Sequence, residues 1–181
     1  PSPCCDPPGA RMGANKTGPP PMTRPLSLRV QAAPVAADAS AAFARIRATT
    51  ERLCAPLDAE DMVIQSMPDA SPPKWHLAHT TWFFETFVLA PHAPDYRVHD
   101  PRYGFLFNSY YNRIGAFHAR ARRGLLSRPT KAEVLAYRAH VDQHLLTLLG
   151  EATPDLLARV LPLVELGLNH EQQRNYSVER L

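Results

Sequence analysis

The sequence predicts an all-α protein, a four-helix bundle with a long crossover between its second and third helices. Apolar residues recur at three- and four-residue steps in separate stretches, and those stretches carry helix start or stop signals. No run of alternating residues argues for a sheet. Short loops and amphipathic helices with one long connection are the pattern of a bundle.

The first helix is expected from about Asp38, where Phe43, Ile46, Thr50, Leu53 and Leu57 share one face, and it should end near Pro56. Ser71 followed by Pro72 and Pro73 starts the second, because proline in a first turn loses no hydrogen bond that the helix needs. That helix should run through Trp75, His79, Trp82 and Phe84 to about Leu89, with Lys74 and His76 toward solvent in its first turn. Between Pro91 and Pro129 the periodicity is weak, and a connection of that length reads as a functional crossover with short helical pieces.

Thr130-Lys131-Ala132-Glu133 has the Thr-x-x-Glu form of a capping box and opens the third helix. Val134, Tyr137, Val141, Leu145 and Leu148 give it a buried stripe, and Gly150 is its expected terminator. Thr153-Pro154-Asp155 starts the fourth, with Leu157, Val160, Leu161, Val164 and Leu168 as its apolar face and Pro162 expected to kink or divide it.

The chain has 181 residues, 45% hydrophobic and 20% charged, which suits one globular core. Residues 1–36 read as a disordered Pro/Gly-rich tail, with too little apolar surface to offset the entropy of folding, and residues 37–181 as the bundle. No apolar run is long enough for a signal peptide or a membrane span. Cys4, Cys5 and Cys54 are an odd, scattered set that suggests reduced thiols in a cytoplasmic protein. A net charge of +3 is too mild to imply nucleic acid. Arg113, Arg120, Arg122, Arg123 and Arg128 do share one segment, where they can form an anion-binding stripe or a solvated loop. They lack the interleaved stacking aromatics of a nucleic-acid module.

Bundles build metal sites from side chains on facing helices. Residues i and i+4 of a helix lie about 40° apart and roughly 6 Å along the axis, so His-x-x-x-His lets one helix give two imidazoles to one ion. The run His170-Glu171-Gln172-Gln173-Arg174 misses that spacing by having Arg174 where the second histidine would stand. A guanidinium stays protonated and offers donors only. His79, among Trp75, Trp82 and Phe83, has an aromatic setting that favours neutral imidazole, and Gly167 leaves room for a neighbouring helix beside His170. His140 and His144 do have the i, i+4 spacing, but Val141 and Leu145 hold the centre of that stripe, so the histidines belong on its flank.

Four blocks carry a family resemblance. The first is Ser71-Pro72-Pro73-Lys74-Trp75-His76-Leu77-Ala78-His79-Thr80-Thr81-Trp82-Phe83-Phe84-Glu85, and the second is Phe107-Asn108-Ser109-Tyr110-Tyr111. Arg123-Gly124-Leu125-Leu126-Ser127-Arg128-Pro129-Thr130 and Gly167-Leu168-Asn169-His170-Glu171-Gln172-Gln173 follow in order. Together they resemble the N-terminal DinB-like domain of the ergothioneine-biosynthesis sulfoxide synthases, the EgtB family, and the likeness covers residues 41–173.

The resemblance implies a DinB-like bundle and a non-haem Fe(II) enzyme that uses O2 to join the sulfur of γ-glutamylcysteine or cysteine to trimethylhistidine, forming a sulfoxide. It implies three histidine ligands, of which His79 and His170 are present, while Arg174 occupies the third position. Weak or absent iron binding is therefore expected. Arg120 and Arg123, in His118-Ala119-Arg120-Ala121-Arg122-Arg123-Gly124, are implied as carboxylate binders, with Gln173 as a further group for the substrate.

Family members continue into a formylglycine-generating-enzyme-type domain, and the sequence stops at Leu181. Codons such as CAG GAA CTA CTC, read one nucleotide later, encode Arg-Asn-Tyr-Ser, the sequence of Arg174-Asn175-Tyr176-Ser177, so a frameshifted or truncated fragment, inactive alone, is the expectation. The alternative is a stand-alone DinB-like bundle acting as a metal-dependent thiol-handling enzyme or a non-catalytic binding module.

Overall fold

A computed structural model describes residues 26–109 and 115–178, with side chains described for 34–109 and 115–175. The bundle is made by α1 (Leu26–Cys54), α2 (Pro73–Phe84), α5 (Lys131–Glu151) and α6 (Pro154–Val178). No strand occurs among the described residues. Helix α1 packs on α5 and α6, and α2 packs on the same two, so the apolar faces close around one core. No helix among the described residues is long and apolar enough to cross a membrane.

The stripes expected from spacing are largely buried, although Leu53, Leu57, Leu148 and Leu161 lie only partly inside and Leu149 is buried in place of Leu148. Phe43, Ile46 and Thr50 of α1, Val134, Tyr137, Val141 and Leu145 of α5, and Leu157, Val160, Val164 and Leu168 of α6 all lie inside. Helix α1 begins earlier than Asp38, at Leu26, and carries Pro34 within it. The rest of the expected N-terminal tail, residues 1–25, lies outside the described residues.

Both halves of the capping box form at α5: Glu133 N–H donates to Thr130 Oγ1 at 3.2 Å, and Thr130 N–H donates to Glu133 Oε2 at 2.6 Å. Gly150 does not end this helix. It lies within the last turn, and the chain leaves through Ala152, whose extended backbone (ψ 137°) meets the start of α6. Pro162 does not divide α6, which is one helix through Val178. Its ring is on the exposed face, where a missing backbone donor leaves a carbonyl open to water.

Every residue of α2 is buried. A helix buried on every face needs a cover on every face, and here the crossover supplies the last wall. Trp75 Nε1–H donates to Leu106 O at 3.0 Å, and Gln65 Nε2–H donates to Arg120 O at 2.8 Å. The expectation that Lys74 faces solvent is wrong for the same reason: it is buried, and its Nζ donates to Leu126 O at 2.8 Å. Past Phe84 the helix widens into a π-helical turn, Glu85–Leu89, before the short α3, Ala90–His92. The crossover holds one further helical turn, α4 (Tyr103–Leu106), and a 3₁₀ segment, Arg120–Leu125.

Gly167 lets α6 pack directly against Phe83 and Phe84 of α2. A Cβ at this position would lie 2.5 and 2.7 Å from Phe84 Cε1 and Cζ and 2.9 Å from Phe83 Cε1. Both rings are buried, so neither moves freely. In an open helix alanine would gain about 1 kcal/mol over glycine, but the overlap opposes it with about 1–3 kcal/mol of overpacking. Gly167→Ala is expected to lower stability in urea denaturation, and a variant more stable than the parent would show the contact to be soft.

Candidate functional site

The densest chemistry lies where α2, α6 and the crossover meet. His79 is 1% exposed, between the rings of Trp75 (centroids 4.4 Å apart, 18°) and Trp82 (5.9 Å, 16°). Its Nδ1 lies 2.7 Å from Phe107 O, a distance that requires Nδ1–H as donor and leaves Nε2 as the lone-pair nitrogen. This carbonyl–imidazole arrangement fixes a ring in the tautomer that a metal ligand uses. His170 meets His79 edge to face with centroids 4.9 Å apart, and Phe83 lies against it at 5.7 Å.

The third group is Arg174, one turn beyond His170 on α6. Its Nε–H donates to His170 Nε2 at 3.3 Å, so the guanidinium holds the lone pair of that imidazole. The proton of neutral His170 is then on Nδ1, which is buried and without a hydrogen-bond partner.

His76 joins them from the same helix. The expectation that it faces solvent is corrected by its burial, and its Nδ1 has no hydrogen-bond partner. Burial is the main reason all three histidines stay neutral at pH 7. It pushes His76 down to about 3, helped by Arg174 and Arg123, and His170 down to about 4, helped by Arg174. His79 is likewise held well below its ordinary value, by burial first and then by His170.

A cavity of about 130 Å³ opens at this end, lined by Asp69, Ala70, Ser71, His76, Arg120, Arg123 and Arg174. Arg123 is almost wholly enclosed. Its guanidinium carbon lies 3.4 Å from the centre of the Trp75 ring, and it donates to Ser71 Oγ at 2.9 Å and Ser109 Oγ at 3.2 Å. Arg120 is half-buried, with Nη1 3.4 Å from Asp69 O. Gln173 is exposed and does not line this cavity. Of the arginines expected in one segment, Arg123 is buried and Arg120 half-buried, Arg122 and Arg128 are exposed, and Arg113 lies outside the described residues.

Beneath the site lies a polar centre that spacing did not reveal. Glu171, 0% exposed, accepts from Arg47 Nη1 at 2.9 Å, Arg138 Nη2 at 3.0 Å and Thr50 Oγ1 at 2.7 Å. Arg47 also donates through Nε to Asp142 at 2.8 Å and through Nη2 to Thr81 Oγ1 at 2.9 Å, so α1, α2, α5 and α6 are tied through one cluster. Burial alone would raise the Glu171 carboxyl, but Arg47 and Arg138 overcome it and hold the group at about 2. The signal in the sequence is Arg47 and Arg138 standing next to apolar stripe positions.

The family profile described as the DinB superfamily matches residues 42–173, well over half of the chain. The chain belongs to the DinB superfamily. No curated protein matches it. The match ends one residue before Arg174, the residue whose guanidinium bonds to His170. Two neutral imidazoles converge, and one turn beyond His170 on α6 Arg174 presents a fixed cation with no lone pair. Among the described residues no group of three or more His, Cys, Asp or Glu is placed to hold a metal ion. The donor set therefore does not fit the three-histidine Fe(II) centre that the sequence resemblance implies.

Proposed function

We propose that this DinB-superfamily bundle is of the sulfoxide-synthase type, related to the enzymes that join γ-glutamylcysteine or cysteine to trimethylhistidine in ergothioneine biosynthesis. As it stands, it does not carry out that reaction alone. The observation that carries the reading is the meeting of His79 and His170 from two helices, 4.9 Å apart, with Arg174 bonded to His170 where the third ligand belongs. The four blocks of sequence in family order support the same assignment.

In this reading Arg120 and Arg123 serve a substrate carboxylate, in keeping with their place in the cavity wall. Arg123, fixed by Trp75 and two serine hydroxyls, is pre-organised for that role, and Arg120 stands in the same wall with Nη1 3.4 Å from Asp69 O. Gln173 has a weaker claim, being off that wall. Arg174 adds a further guanidinium and favours the second reading, a non-catalytic module that binds a small anion, over a metal-dependent thiol-handling enzyme.

Iron content after anaerobic reconstitution with Fe(II) and desalting tests the proposal. Retention well below one iron per chain is expected, since a guanidinium repels the ion and occupies the His170 lone pair. Near-stoichiometric retention would overturn the expected loss of iron binding and, with it, the reading that the bundle is inactive alone.

A further inference from the structure

A second group of histidines lies around Glu85, away from His79 and His170. His140 and His144 stand at i and i+4 on α5, with ring centroids 4.3 Å apart, and both are half-buried. His99, exposed on the crossover, lies 5.0 Å from His140. Tyr96 covers the pair, 5.7 Å from His140 and 5.1 Å from His144.

Three features go beyond packing. His144 Nδ1 lies 2.7 Å from His140 O, so Nδ1–H donates and Nε2 keeps the lone pair, the tautomer fixed in metal-ligating histidines. His140 Nε2 is shielded from water and has no hydrogen-bond partner, so an unsatisfied polar atom gains from any cation brought to it. Below the rings is the buried carboxylate of Glu85. It accepts from Tyr96 Oη at 2.6 Å, from Tyr137 Oη and from His99 N–H at 2.8 Å. Those bonds hold its oxygens in place beneath Tyr96 and His99.

We propose that His140 and His144 form a two-imidazole site for a borderline divalent cation of the Zn²⁺ or Ni²⁺ class, with His99 as the adjoining third donor. Imidazole suits these ions, and the i, i+4 spacing lets one helix present both rings to one ion. No three donors are already set for an ion among the described residues. The pair therefore takes the ion first, water fills the remaining positions, and His99 closes on it by side-chain rotation. This inference is independent of the reading of His79 and His170.

Calorimetric titration of Zn²⁺ into the tag-free chain tests it, alongside His140→Gln, His144→Gln, His99→Gln and His170→Gln. Either change in the α5 pair should weaken binding at least about 10-fold, and His99→Gln by a smaller factor. His170→Gln should leave the affinity unchanged. Circular dichroism checks each fold, and since His140 and His144 are only half-buried, either variant alone carries the test. Absence of Zn²⁺ binding by the parent, equal affinity in the α5 variants, no change in His99→Gln, or loss in His170→Gln would each overturn the site.

Discussion

Glu171→Ala is expected to destabilise the bundle by about 3–5 kcal/mol, the cost of leaving buried charge without its counter-charge. Glu171 is 0% exposed and stands between Arg47 and Arg138, themselves buried. Its removal leaves Arg47 with Asp142 and Arg138 with Glu51 at 3.5 Å as their remaining counter-charges, and neither guanidinium can lose its proton. Against a typical total of 5–15 kcal/mol, that is a large share of the stability. Chemical denaturation reads it directly, and Glu171→Gln, which keeps the shape and the Thr50 contact, should lose less. A Glu171→Ala protein within 1 kcal/mol of the parent would mean that water reaches the two arginines.

The same carboxylate sets an acid limit. Its folded-state value, about 2, lies below the ordinary 4.5, so the folded state favours the ionised form. Its contribution is complete above about pH 4.5 and is lost as the pH falls toward 2, on the order of 3 kcal/mol over that window. Glu171→Gln should flatten this part of the stability profile. An unchanged profile would assign the acid sensitivity to other carboxylates.

Arg174→His is expected to raise Fe(II) affinity at least about 100-fold, measured by competition with a chelator under anaerobic conditions. The substitution removes the donor that holds His170 Nε2 and places a lone-pair nitrogen one turn away, completing three imidazoles. Second-sphere changes alone shift metal affinity 10–100-fold, and a ligand exchanged for a cation exceeds that. Arg174→Gln separates the two effects, since it removes the charge without supplying an imidazole and should give only a fraction of the gain. Equal affinity in Arg174→His and the parent would mean that His79 and His170 do not present their lone pairs to a common point.

Helix starts were legible because their cause is local. Thr130 and Glu133 satisfy each other's backbone donors within four residues, and Pro73 opens α2 for reasons that need no tertiary contact. The apolar stripes were legible because period alone defines a face. Gly150 was misleading, since a glycine near a helix end need not enter the left-handed turn when Thr153 and Pro154 already start the next helix. Lys74 and His76 were misplaced because a first turn is normally wet, whereas the crossover here folds over it.

The candidate site divides in the same way. The sequence by itself determined the four helices, the place of His79 and His170 on them, and the spacing that puts Arg174 one turn from His170. Only the tertiary structure decided that Glu171 is the buried centre of the bundle, that Arg174 bonds to His170, and that His99 joins His140 and His144. The physical reason is range. Spacing along a chain fixes which way a residue faces on its own helix, but the state of a buried charge depends on desolvation and on partners brought from other helices. Those partners are set by packing.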